Sequence, residues 1–188
     1  MTQRKAVFPA LSLIFVLYAV LPSLADDEVP YTPPSKAFSC TLPMGWTAYE
    51  QATPAGTVAH IVGPETAAGW RPAYHIHVAE KGKPGWRRGR ETLKALRRSE
   101  DAAERTVTGL NSWRVARKPA RLFEARERRM YPPGKLPAEL LEIHHFYAFV
   151  PSVGEDYLVI KLTTREAEYL DYRKEFTRFL ESLRVLGY

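Results

Sequence analysis

The sequence predicts an α+β fold: an antiparallel sheet of about six to seven strands with helices on both faces, an α/β/α sandwich. Three observations predict it. Short segments alternate apolar and polar residues and are bounded by Gly and Pro turns. The connections between many of them are of hairpin length, which implies antiparallel pairing. One helical pattern falls early and another closes the chain, so both faces of the sheet can be covered.

The first residues read as an address. Arg4 and Lys5 precede an apolar run over 6–21, bounded by Pro22. Ser23-Leu24-Ala25 then supplies small residues where a signal peptidase needs them, followed by Asp26. Residues 1–25 therefore fit a secretory signal peptide cleaved after Ala25, and the run is short for a membrane span. The expected localisation is secreted or periplasmic, with no transmembrane span left after cleavage. Residues 26–35 carry Pro30, Pro33 and Pro34 and read as an extended tail or linker. A single domain is expected over 36–188, large enough for a core without disulfide staples. Cys40 is the only cysteine, so no intramolecular disulfide can form. Its place in an alternating segment makes it a small core residue.

Strands are expected at 38–42, 47–51, 57–62 and 73–80, the last with Tyr74, Ile76 and Val78 on one face. Pro43-Met44-Gly45-Trp46 and Thr53-Pro54-Ala55-Gly56 are turns between them, and a loop over 63–72 contains Trp70. A helix is expected over 90–103, anchored by Leu93 and Leu96, a stripe thin enough to pack shallowly. Residues 109–112 read as a turn. Segments 113–117 and 120–130 are strand-like, with Pro119 marking a bend or an edge. Residues 131–137 form a stiff Pro-rich loop. Segment 140–150 is apolar on both faces for much of its length and belongs in the sheet interior. A hairpin loop at 151–155 leads to a strand at 157–162, where Tyr157, Val159 and Lys161 face away from Leu158, Ile160 and Leu162.

From Thr163 the period changes to that of a helix. Tyr169, Tyr172, Phe176, Phe179, Leu180 and Leu183 lie three or four apart and form one stripe. Thr163-Thr164-Arg165-Glu166 fits a capping box, and Gly187 suits the exit. So wide and aromatic a stripe predicts a helix lying flat on the sheet.

The segment Phe38-Ser39-Cys40-Thr41-Leu42-Pro43-Met44-Gly45-Trp46 resembles the "F-x-x-x-L-P-x-G-W" opening of the PsbP-like fold. That fold is shared by extrinsic photosystem II subunits, a Ran-binding nuclear factor and exported bacterial proteins of unassigned role. Glu155 to Leu162 resembles its penultimate strand. Tyr172 to Val185, ending in Phe179-Leu180-Glu181-Ser182-Leu183-Arg184-Val185, resembles its closing helix. The likeness spreads over most of 36–188, and residues 82–137 show no family pattern. It implies the α/β/α sandwich, and docking or ligand roles with no shared active site.

Enzyme signatures are missing: there is no G-x-S-x-G, H-E-x-x-H, Walker loop or Rossmann glycine pattern. Glu142 and His144 share a strand face and are the acid–base pair to consider, but the chain is expected not to be an enzyme. The net charge is +6 and includes Arg4 and Lys5 of the leader. The remainder is mildly basic, unlike a dedicated nucleic-acid binder. Two groups of residues carry the functional expectations. Lys83, Trp86, Arg87, Arg88, Arg90, Lys94, Arg97 and Arg98 form a basic stretch with one aromatic, with a second basic cluster over 114–129. Such a surface suits a protein or anionic surface in the envelope or extracellular space. The favoured expectation is an exported, non-catalytic docking domain that recognises a macromolecular partner there. The alternative is a metal- or small-ligand-binding module. His75 and His77 are two apart on one strand and share a face, and His60 can join them if the strands pair. Imidazoles so placed suit Cu or Zn, although no cofactor is required by the docking reading.

Overall fold

Alternation gives each strand one apolar face, and pairing those faces builds the core. The computed structural model describes residues 29–98, 105–131 and 137–186. Its strands are β1 (Val29–Tyr31), β2 (Phe38–Leu42), β3 (Thr47–Thr53), β4 (Gly56–Val62) and β5 (Ala73–Ala79). Helix α1 (Gly89–Arg98) is followed by β6 (Arg105–Val107), β7 (Asn111–Val115), β8 (Lys118–Tyr131), β9 (Glu139–Pro151) and β10 (Tyr157–Arg165). Helix α2 (Tyr169–Ser182) and β11 (Arg184–Val185) complete the order. An eight-stranded sheet runs β3-β4-β5-β10-β9-β8-β6, with β7 also on β8, and a small sheet runs β1-β2-β11. All of these pairings are antiparallel. The expected α+β architecture, with helices on both faces, is the observed one.

Strands β6 and β7 are two parts of one edge. Val107 pairs with Ala125 and Asn111 with Leu122, so β6–β7 spends one residue more than β8 between these points. This is a bulge. The Thr108 N–H donates to Glu124 O at 2.9 Å, and the Glu124 N–H donates to Thr108 Oγ1 at 2.9 Å. The sequence places a turn at 109–112; the chain instead bulges and continues. Pro119 sits where β8 pairs with β7 but has run past β9, whose register begins at Arg121↔Phe149. Its missing N–H is tolerated there.

One face of the large sheet is the main core. Ile61, Tyr74, Ile76, Phe146, Ala148, Leu158, Ile160 and Leu162 meet Phe176, Phe179 and Leu180 of α2, with Phe38, Cys40 and Leu42 of the small sheet. Burial pushes the Cys40 thiol up to about 12, so it stays an inert thiol. The other face carries a smaller cluster: Phe123, Ala125, Tyr147, Phe149, Tyr157 and Val159 under Trp86, Leu93 and Leu96. None of α1 is fully buried, as its thin stripe predicts.

Several local expectations are corrected. The Thr163–Glu166 capping box does not form. Residues 163–165 remain in β10, Glu166–Glu168 make a 3₁₀ turn, and α2 starts at Tyr169 without a side-chain cap. Both cap side chains have tertiary partners instead: Thr163 Oγ1 meets His145 Nδ1 at 3.0 Å, and Glu166 Oε2 meets His144 Nδ1 at 2.6 Å. The closing helix stops at Ser182, and Leu183 is already extended. Leu183 still reaches the core, because the chain turns into β11 beside β2. Part of the Pro-rich segment is also held in place: Val29–Tyr31 pairs with β2, and Ser35 hydrogen-bonds Glu50 through both its N–H (2.9 Å) and its Oγ (2.5 Å). The expected signal peptide, the end of the early helix beyond Arg98, and Gly187 lie outside the described residues. Among the described residues, no helix is long and apolar enough to cross a membrane.

Candidate functional site

Helix α1 begins where Arg88 O accepts the N–H groups of Glu91 and Thr92. Tyr157 pins this start: its hydroxyl donates to Arg87 O at 3.0 Å and lies 2.7 Å from Thr92 Oγ1. Gly89 lets the helix come close, since a Cβ there would stand 2.7 Å from Phe149 Cζ. The result is a groove between α1 and the β7–β8 hairpin. Gly89, Leu93, Trp113, Ala120 and Phe149 line it, together with Arg90 from α1 and Arg121 from β8. Trp113 is 36% exposed. The first and second basic clusters therefore meet at this groove.

Arg87, Arg88, Arg90, Lys94 and Arg98 are exposed and form no ion pair among the described residues. Lys83 is also exposed, with Glu80 at 3.7 Å. Trp86 and Arg97 are half-buried. Trp86 packs in the α1-side cluster, and Arg97 Nη2 donates to Thr108 O at 3.2 Å. Much of the second basic cluster is already paired, with Arg126 to Glu166, Arg128 to Glu142 and Arg129 to Glu127. Arg121 hydrogen-bonds Ser112, and Arg114 and Arg117 are exposed on the hairpin.

The histidine expectation gains a register. On the α1 face, pairing aligns Tyr49, His60, His75, Lys161, Tyr147 and Phe123 in one row across six strands. His60 does lie beside His75, with ring centroids 5.1 Å apart, and Tyr49 stacks on His60 at 4.8 Å. His77 is in the next row, opposite Val58 and Val159. Burial, then the charge of Lys161, pushes His75 down to about 3 and His77 to about 4. Both rings are neutral at physiological pH. His77 is pushed down less; His75 also feels His77 and His145. Burial also lowers Lys161. Among the described residues, no group of three or more His, Cys, Asp or Glu is arranged to hold a metal ion.

His144 and His145 point to opposite faces, as their adjacency in a strand predicts. His145 is held between Thr163 Oγ1 and Glu127 Oε1, the latter at 2.9 Å. His144 stacks on Tyr169 at 3.3 Å and takes Glu166 as partner, not the Glu142 expected from sequence spacing. Glu142 pairs instead with Arg128 at 3.0 Å. With its ring fully buried, His144 is lowered by burial against the opposing pull of Glu166 and Glu124. His144, Glu166, Glu124 and Tyr169 thus form one polar network. Sequence reading missed Arg105 and Glu127, which form a buried ion pair at 3.0 Å from residues 22 apart. No local motif marks such a pair.

No family model and no curated protein matches the chain. Solved structures do. The solution structure of cyanobacterial PsbP (CyanoP) from Synechocystis sp. PCC 6803 aligns with a TM-score of 0.53 at 11% identity, covering 90% of this chain and 99% of that one. The chain has the PsbP-like fold. LpqN, involved in cell envelope biogenesis of Mycobacterium tuberculosis, aligns at a TM-score of 0.52 with 12% identity, covering 84% and 89% of the two chains. PA94, a protein of unknown function from Pseudomonas aeruginosa, gives 0.51 at 10% identity, covering 82% and 94%. At these identities the likeness is one of PsbP-like fold, and the resemblance carried by the Phe38–Trp46 opening is matched by the three-dimensional architecture.

Proposed function

We propose that this PsbP-like chain is an exported, non-catalytic docking domain that recognises an acidic macromolecular partner through the groove between α1 and the β7–β8 hairpin. The observation that carries this reading is that Arg90 and Arg121, from the two basic clusters, line one groove together with Leu93, Trp113 and Phe149. Apolar and cationic side chains lining one groove suit an apolar anchor flanked by carboxylates. Unpaired arginines on α1 leave that charge available to a partner. The fold neighbours support the reading to the extent that CyanoP is a PsbP and LpqN is involved in cell envelope biogenesis.

The test is crosslinking of the tagged protein in its own compartment, followed by binding measurements with the recovered partner. A stoichiometric complex should weaken steeply between low and physiological salt. It should weaken at least tenfold in Arg90→Glu/Arg121→Glu. A complex indifferent to both salt and these substitutions overturns the proposal.

A further inference from the structure

The groove between α1 and the β7–β8 hairpin does not end at Gly89. A second cavity adjoins it on the side of the β9–β10 loop, about 350 Å³ against about 380 Å³ for the first. Gly89, Phe149 and Pro151 line both. A side chain at position 89 would fill the junction, since its Cβ would stand 2.7 Å from Phe149 Cζ.

The second cavity repeats the chemistry of the first. Its walls include three aromatic residues, Trp86, Phe149 and Tyr157. Three charged residues also line it, Arg88, Glu155 and Asp156. The two acids are already engaged. Glu155 Oε1 pairs with Lys81 Nζ at 3.1 Å, and Asp156 Oδ1 accepts the Lys81 N–H at 2.6 Å. Arg88 is exposed and forms no ion pair among the described residues. Each cavity thus joins apolar walls to an arginine without an acidic partner, Arg88 in one and Arg90 in the other.

We infer that the partner of this groove is an extended acidic segment of polypeptide, with two apolar side chains that enter the cavities on either side of Gly89 and carboxylates that meet Arg88 and Arg90. The inference rests on the docking reading above and adds to it a second cavity and the form of the partner. Buried apolar anchors in pockets carry most of the affinity of such contacts, and opposite charge around them sets register and specificity. Two adjoining hollows call for two anchors close together on one narrow element. An extended chain supplies them, because its residues follow one another at about 3.3 Å and project side chains at regular intervals. An anionic lipid surface would meet the arginines and leave both cavities empty.

The test is fluorescence anisotropy with labelled synthetic peptides. Each carries two leucines flanked by glutamates in a serine and glycine background, and the panel varies the separation of the leucines. Controls replace one leucine by serine, or every glutamate by glutamine. The inference expects saturable binding by at least one two-leucine peptide, weakened about tenfold in either control. Arg88→Glu and Arg90→Glu should each weaken it by about the same factor. Both side chains are exposed, so both variants should keep the circular dichroism of the parent protein. The inference is overturned if no peptide binds, if one leucine serves as well as two, if Arg88→Glu leaves the affinity unchanged, or if only vesicles containing phosphatidylglycerol bind. The docking reading falls on a different result, a recovered partner indifferent to salt and to Arg90→Glu/Arg121→Glu. A recovered partner that needs Arg90 and Arg121 while no peptide binds would keep that reading and remove this inference.

Discussion

Glu127 lies 2.6 Å from Arg129, 3.0 Å from Arg105 and 2.9 Å from His145, with its side chain almost wholly removed from solvent. Burial alone would raise its pKa. The His145 hydrogen bond and the charges of His145, Arg129 and Arg105 outweigh burial and hold it at about 2. Its contribution to stability is complete above the ordinary value of 4.5 and is lost as pH falls from 4.5 towards 2, because the unfolded chain takes up the proton first. Glu127→Gln should remove that acid limb from urea-unfolding curves recorded against pH. It should also cost about 3 kcal/mol, since a buried Arg105 is left without its partner. An unchanged acid limb would mean that the carboxylate titrates normally. His75 acts in a higher window. It is held at about 3 against an ordinary 6.5, so unfolding takes up its proton throughout that interval, and stability is lost as pH falls through it. His75→Phe should flatten the pH dependence of stability between 6.5 and 3; a curve of unchanged slope there would count against a buried neutral ring. Alternation along β5 already places His75 and His77 on one face. The His60–His75 contact depends on register between strands, which a single sequence leaves free.

At the scale of elements, the β7–β8 turn shows tertiary packing overriding local preference. Ala116 and Arg117 have φ of 51° and 62°, a left-handed pair that Asn and Gly ordinarily supply. Val115 is buried, and Ala116 packs on the main core, so the turn is held from beneath. Arg117→Gly should therefore raise stability by about 1 kcal/mol in chemical denaturation, by relieving one left-handed non-glycine residue. A loss of stability would show that the arginine side chain holds the turn. The same competition explains the failed capping box. Thr163 and Glu166 have the right spacing, but β10 carries Thr163 into register with His145, and Glu166 is drawn to His144. Side chains that can cap a helix can also complete a buried network, and spacing alone does not distinguish the two.

Across the whole molecule, the two helices are unequal. Phe176 on α2 is 0% exposed and meets Tyr74 and Phe146, whereas α1 has no fully buried residue. Phe176→Ala should cost about 3–5 kcal/mol. Amide exchange should be fastest in α1 and slowest in β9 and β10, which sit inside the sheet. Equal protection of the two helices would contradict the shallow seat of α1. A loosely seated α1 also gives the groove proposed for docking an adjustable wall.

The periodicities of 2 and 3.6 determined the strands at 38–42 and 140–150, the flat closing helix, and hence the layered α+β class. They are local, because a half-buried strand or helix must show its apolar face in its own residues. The tertiary structure decided the rest. It brought Arg90 to Arg121 across a groove, aligned His60, His75 and Lys161 into one row, and joined Arg105 to Glu127. Each of these depends on which strands pair and in what register. Register is set by the packing of the whole core, and no segment encodes it alone.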